Sequence, residues 1–489
     1  MRSSGVLMHM SSLPSPYGIG TMGKQAKQFV DFLEKAGQTY WQMLPICPTS
    51  YGDSPYQSPS GFAGNPYFID LDILCTKKLL KKSECRSYQW NVKDDTVDYA
   101  LLYENRYDLL RKAKVRFFEN VPQEYWQFCE KEADWLDDFA LFMALKEAHN
   151  GAQWSEWERP LKFREAEAIA KAKDKIDFWK MLQYLFFEQW CELKNYANER
   201  GIRIIGDVPI YVAGDSVDVW TNPSQFYLDE NLEPIDVAGC PPDAFSADGQ
   251  LWGNPLFRWD VMREDGYSWW TMRLRKMSTL YDVIRIDHFR GFDSYYAIPG
   301  KDTTARNGVW RNGPGMELFR AVEEKLGKPD IIVEDLGFLT PSVLQLVADS
   351  GYPGMKVVQF AFDSRDDSDY MPHNYDKHCV VYTGTHDNDT ILGWMKQAPK
   401  NSVKKAKEYL RMTKEEGYNW GMMCGAWMSS ANLAVVTMQD LIGLGSSARM
   451  NIPSTLGGNW TWRALPGQIN APLANKLHHK TELYGRLRR

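Results

Sequence analysis

The stretch YDVIRIDHFRGF, residues 281–292, begins as a buried strand and ends in charge. Side chains two apart share a strand face, so Val283, Arg285 and Asp287 point one way while Ile284 and Ile286 point the other. Arg285 and Asp287 are therefore neighbours at the C-terminal end. A guanidinium beside a carboxylate favours the ionised acid, which suits either a structural ion pair or a charged group at a site. This stretch alone does not choose between the two.

Seven further short apolar runs resemble it: GVLMHM (5–10), YWQMLPI (40–46), IRIIGDVPIYV (202–212), DIIVED (330–335), MKVVQF (355–360), CVVYTG (379–384) and LAVVTMQDLIG (433–443). Helical patterns lie between many of them. In residues 24–37, Ala26, Phe29, Val30, Leu33 and Ala36 recur at helical spacing and Gly37 supplies a stop. Trp179, Leu182, Phe186, Trp190 and Leu193 repeat the pattern before the third run, and Thr340, Pro341 and Gly351 predict a capped helix after the fifth. Eight nearly all-apolar strands alternating with helices predict a parallel sheet covered on its outer face, and eight closes a (β/α)8 TIM barrel. A doubly wound open sheet is the rival. The glycine fingerprint of dinucleotide binding is missing after the first strand, which removes one reason to prefer that rival.

A plain barrel takes about 250 residues and this chain has 489, so large insertions in the loops are expected within a single domain. Residues 70–175 read as a mainly helical insertion. Residues 211–262, rich in Pro, Gly, Asp and Trp, read as a long irregular loop, of a length that in compact domains is usually functional or mobile. The composition, 44% apolar and 25% charged, is that of a globular protein. A net charge of −6 with the signs mixed offers no basic patch for nucleic acid or an anionic membrane. No leader-like or membrane-spanning apolar segment is visible. The eight cysteines form no CxxC pair, so neither a zinc site nor a disulfide framework is supported, and a cytoplasmic location is expected. Nineteen Trp and 25 Tyr suit core packing first and sugar faces second.

Carboxylates end four of the eight runs. Besides Asp287, the third run reaches Asp207, the fifth Glu334 and Asp335, and the seventh His386, Asp387 and Asp389. One such ending is commonly a helix cap; four converging at one barrel mouth are poorly explained by capping. Two chemistries use such a mouth. Work at a glycosidic bond needs one ionised carboxylate and one protonated acid, whereas metal chemistry needs carboxylate and imidazole ligands around an open position. The chain has only eight His and no HxH or HExxH, so no metal is assigned. The acidic stretch DSRDDSD (363–369) lacks the Gly and Glu of a calcium loop.

The segments VIRIDHFRG, IIVEDLG, GTHDNDT and GDVPIYVAGDSVDVW closely resemble signature segments of the amylomaltases, 4-α-glucanotransferases allied to the α-amylase clan. The resemblance runs from SSLPSPYGIG and YGDSPYQSPSGFAGNPYFIDL through ADGQLWGNPLFRWD to MNIPSTLGGNWTWR. It implies Asp287 as nucleophile, Glu334 as general acid/base and Asp387 as the third carboxylate that holds sugar hydroxyls. Arg285 would orient Asp287, His288 and His386 would contact the sugar, and Asp207 would support the site. Tyr56 is implied to stack on the donor glucose, Ser54 to bind substrate, and Trp252 to form part of a flap on the acceptor side. Asp363 and Asn459 complete the implied substrate-binding set.

The implied reaction is a retaining transfer of α-1,4-glucan segments from a maltooligosaccharide to a sugar 4-hydroxyl, with no cofactor. Retention needs the two carboxyl groups about 5–5.5 Å apart and the acid held protonated. Composition and the resemblance together make residues 211–262 a candidate acceptor-side lid, whose Trp220, Phe226, Tyr227 and Trp252 would shelter the intermediate from water. An α-glucoside hydrolase using the same residues, and a non-catalytic glucan-binding barrel, stay open at this point. Oligomeric state is not readable.

Overall fold

All eight apolar runs enter one parallel sheet in the computed structural model, which describes residues 2–50, 52–172, 175–242, 247–337, 339–362 and 368–488. In chain order the strands of the described residues are β1 (Ser3–Leu7), β2 (Tyr40–Gln42), β3 (Arg203–Pro209), β4 (Asp236–Cys240), β5 (Gln250–Pro255), β6 (Val283–Asp287), β7 (Ser294–Pro299), β8 (Val309–Asn312), β9 (Ile331–Val333), β10 (Gly354–Val357), β11 (Cys379–Tyr382) and β12 (Leu433–Thr437). The parallel sheet runs β10-β11-β12-β1-β2-β3-β6-β9. Its two end strands are consecutive in the chain. The Val333 N–H donates to the Pro353 carbonyl at 3.0 Å, drawing them together and curling the sheet into the expected barrel.

Strand alternation sorts the side chains into two cores. Leu7, Ile205, Val283, Ile332, Met355, Val357, Val380, Tyr382, Leu433 and Val435 fill the interior. Tyr382 donates there to Gln42 at 2.8 Å, so even the polar interior groups are paired. Ile284, Ile286, Trp41 and Ile204 face outward into the shell of helices. Val283 therefore fixes the direction of Arg285 and Asp287: they follow it along the inner face, toward the C-terminal mouth.

The helix Lys24–Lys35 shows how the shell attaches. It buries Ala26, Phe29, Val30, Phe32 and Leu33, with the Phe29 ring edge-on to Trp41 of β2 at 4.9 Å. Each large side chain so buried stabilises the fold by roughly 1.5–3 kcal/mol. Gly37 follows with a φ of 66°, a left-handed turn that a side chain would strain. The predicted cap at Thr340 also forms: its hydroxyl accepts from the Val343 N–H, Pro341 opens the helix Pro341–Ser350, and Gly351 closes it at a φ of 62°. At the opposite end of the barrel from the mouth, the buried Arg486 donates to the carbonyls of Ser3, Trp427, Ser429, Ala431 and Asn432, clasping the start of β1 to the approach to β12.

Between β2 and β3 the described residues hold helices including Leu71–Thr76, Tyr99–Phe117, Gln123–Lys131 and Ala133–Ala148, before the long barrel helix Asp177–Glu199. Tyr99 donates to the Trp460 carbonyl at 3.1 Å, tying this insertion to the mouth. The segment 211–262 differs from the irregular loop expected. Its strands β4 and β5 join β7 and β8 in an antiparallel sheet ordered β5-β4-β7-β8. The Tyr296 and Ile298 side chains of β7 and Val237 of β4 form a small separate core with Ala305. Pairing partners some 60 residues apart and a half-exposed strand leave no local periodicity to read.

Candidate active site

Strand β6 pairs with β9 in register, Ile286 opposite Val333. The next step along each strand brings Asp287 opposite Glu334, and the Glu334 N–H donates to the Ile286 carbonyl at 2.9 Å, keeping that register past the end of β9. Residues opposite one another point to the same face, and neighbouring strands lie about 4.8 Å apart. His288 then takes a left-handed conformation, φ 53°, which a β-strand continuation would not allow. The turn aims its N–H at Glu334 Oε2, 2.7 Å away, and the Leu336 N–H reaches Oε1 at 3.0 Å.

Burial raises the Glu334 carboxyl, the negative charge of Asp287 raises it further, and Arg285 with the two N–H donors only partly opposes this; the result is about 7. Near neutral pH the group is thus poised between acid and base.

Beneath the mouth, Arg285 Nη1 donates to both oxygens of Asp207, at 2.8 and 2.7 Å, and to Asp287 Oδ1 at 3.0 Å. The side chains of Asp207 and Arg285 are 1% and 4% exposed. Burial pushes the Asp207 carboxyl up, and Arg285 only partly opposes this; for the guanidinium the charges of Asp207 and Asp287 more than offset burial, holding Arg285 well above its ordinary range. Arg285 therefore stays charged. The chemical consequence is that Asp287 faces the cleft with one oxygen pinned by a permanent positive charge.

The opposite wall is built on Tyr56 and the loop after β11. Tyr56 donates to Asp207 Oδ2 at 2.9 Å and stacks on His386, centroids 5.0 Å apart and 19° from parallel. A single buried carboxylate, Asp440, holds both ends of the loop: the Ile391 N–H donates to Oδ1 at 2.7 Å and the Thr383 hydroxyl to Oδ2 at 3.2 Å. Between them lie His386 and Asp387. Asn451 donates to Asp387 Oδ1 at 2.7 Å, and Arg449 donates to the Asp387 carbonyl.

Asp287, His288, His386, Asp387, Ser54, Tyr56 and Trp252 all line one cleft of about 590 Å³. Arg285 and Asp207 lie under its floor. Trp252 meets the His288 ring edge-on at 4.8 Å. Burial, with the charge of Arg290, lowers His288 to about 4 despite Asp287 nearby, so its imidazole is neutral at physiological pH. Asn459 is not among the cleft-lining residues: it accepts from the Ile452 N–H at 3.0 Å and donates to Thr455, bracing the loop whose Asn451 and Thr455 do line the cleft. Asp363 and the acidic residues to 367 lie outside the described residues.

Two of the expected shelter residues are packing groups instead. Trp220 is 1% exposed and donates to the Leu161 carbonyl, and the buried Phe226 ring packs against Phe257, tilted by 33° at a centroid distance of 5.2 Å. Tyr227 lies apart from the cleft lining, leaving Trp252 as the one of the four that faces it. Conversely, Asn451 and Tyr211 line the cleft without having been singled out from the sequence. Asn451 shares MNIPSTLGGNW with a second Asn, Asn459, and Tyr211 is the penultimate residue of an apolar run; nothing local marks either. Among the described residues no cluster of three or more His, Cys, Asp or Glu side chains is placed to hold a metal ion, and no helix is long and apolar enough to cross a membrane.

Residues 8–467 match the family described as 4-alpha-glucanotransferase. The chain belongs to the 4-alpha-glucanotransferase family. Among curated members of that family, the 4-alpha-glucanotransferase of Clostridium butyricum is 51% identical over 98% of this chain and 100% of its own length. That of Thermus thermophilus is 46% identical over 99% of each. A solved amylomaltase of Streptococcus agalactiae, in complex with acarbose, superposes with a TM-score of 0.97 at 41% identity, covering 100% of both chains.

Proposed function

We propose that this protein is a 4-alpha-glucanotransferase that moves α-1,4-glucan segments between maltooligosaccharides by a retaining double displacement. One observation supports the assignment of roles: Asp287 and Glu334 follow paired residues of adjacent strands on the same face, and the N–H of His288, next to Asp287, donates to Glu334 Oε2 at 2.7 Å, an arrangement compatible with the close pair that retention needs. One of them is held by Arg285 and the other is raised to about 7.

Asp287, pinned on one oxygen, attacks the anomeric carbon with its other oxygen. Glu334 donates its proton to the departing glycosidic oxygen, and the glycosyl–Asp287 ester forms. Glu334 then takes the proton from an incoming sugar 4-hydroxyl, whose oxygen attacks the anomeric carbon, forming the new glycosidic bond as the bond from that carbon to the Asp287 oxygen breaks and frees the carboxylate. Asp387, held by Asn451, and His386 bind sugar hydroxyls on the Tyr56 side. Trp252 and the β4–β5 hairpin form the acceptor-side cover, and excluding water there lets a sugar acceptor compete. Helices of residues 70–175 buttress the mouth through Tyr99. The setting that fits is the cytoplasm, with maltooligosaccharides as partners.

Incubation with maltotriose tests the reading. Glucose plus a ladder of longer maltooligosaccharides, with no net gain of reducing ends, is the expected product pattern. Maltose and glucose without lengthening would replace transfer by hydrolysis.

A further inference from the structure

Tyr211, two residues beyond β3, stands out among the cleft tyrosines. Tyr56 gives its hydroxyl to Asp207, but no described protein group hydrogen-bonds the hydroxyl of Tyr211. The residue is only 6% exposed, yet it lines the cleft, so the little surface it keeps is presented there. Its ring is fixed by Phe257, Trp252 and His288, at centroid distances of 6.2, 6.3 and 6.4 Å. A Cβ on Gly291 would lie 3.4 Å from the hydroxyl oxygen, which puts that oxygen against the turn carrying His288. The Tyr211 oxygen is not among the fully buried, unpartnered polar atoms of the described residues, so it keeps accessible surface that a sugar hydroxyl or water in the cleft can reach.

Position decides which ligand. The His288 N–H is bonded to Glu334, so Tyr211, His288 and Trp252 form the wall on the side of the acid/base, where the leaving and entering oxygens sit. Tyr56, His386 and Asp387 form the other. We propose that Tyr211 is a specificity-determining residue of the acceptor subsite, its hydroxyl hydrogen-bonding a hydroxyl of the incoming sugar and favouring a glucan over water. The proposal rests on the glucanotransferase reading above.

Tyr211→Phe keeps the ring and its packing and removes only the oxygen. With maltotriose as donor and glucose as acceptor, the expected result is an acceptor KM raised about tenfold, the scale of one hydrogen bond. The fraction of turnovers ending on water, read as net gain of reducing ends, should rise severalfold. Acceptor KM and that fraction both unchanged in a folded variant would overturn the proposal. Should the variant not fold, monodeoxyglucose acceptors on the wild type decide: one position must lose about tenfold in acceptor KM, and equal KM at every position overturns the idea. Failure of the underlying reading looks different, because the wild type would then not lengthen maltotriose at all.

Discussion

The backbone N–H of His288, the residue after Asp287, donates to Glu334 Oε2 at 2.7 Å. The left-handed turn at His288 thus fixes the Glu334 carboxylate against the main chain next to Asp287, while Arg285 holds Asp287 itself. Catalysis at a single bond needs both groups within a fraction of an ångström of their working positions.

Removal of the acid is expected to depend on the leaving group. Glu334→Gln should slow transfer from maltotriose about 10²–10⁴-fold. With α-maltosyl fluoride, whose fluoride departs without protonation, ester formation should be far less affected. Asp287→Asn should abolish both. Trapping the ester by mass spectrometry in the Glu334→Gln enzyme checks the order of events; an ester on another residue would sink the assignment.

The pH dependence follows from Glu334. The first step needs it protonated, so kcat should decline as pH rises through about 7. Stability changes in the same direction. The folded carboxyl binds its proton more tightly than the unfolded one, so its ionisation costs stability as pH rises from about 4.5 toward 7. Urea denaturation of Glu334→Gln across that range should show a flatter loss than the wild type.

Arg285 carries a large electrostatic load. Arg285→Ala would leave Asp207 buried at 1% exposure with no cation, a loss of about 3–5 kcal/mol measurable by chemical denaturation. The double variant Asp207→Asn, Arg285→Met should regain much of that stability without regaining activity. Activity restored in the double variant would mean that the guanidinium does not serve Asp287.

Asn451 separates positioning from folding at the third carboxylate. Asn451→Ala deletes the 2.7 Å bond to Asp387 Oδ1 while Asp440 still anchors both ends of the loop. We expect a melting temperature near that of the wild type, with kcat/KM for maltotriose down about tenfold. Asn451→Asp, which places like charge against Asp387, should be worse than Ala. Equal kinetics in all three proteins would remove Asn451 from the site.

The barrel was legible because each of its strands is a short run of residues buried on both faces, and such runs carry their burial in composition alone. Caps such as Thr340 and Gly351 were legible because a helix end is satisfied by residues a few positions away. The catalytic carboxylates were legible by place: an acid at the end of an apolar run has one mouth to face, and the family motifs assign the roles. The β4-β5-β7-β8 sheet was not, since its strands come from two separate segments of the chain, on either side of β6. Asn451, chosen by the fold over the nearby Asn459, and Tyr211, whose ring and hydroxyl are placed by Phe257 and the His288 turn, belong to the same class. Sequence determined which faces would be buried and which strand ends would carry charge, because burial and capping are short-range matters. Tertiary structure alone decided which side chains from different loops would touch one sugar, because that is set by strand register and loop packing between residues hundreds of positions apart.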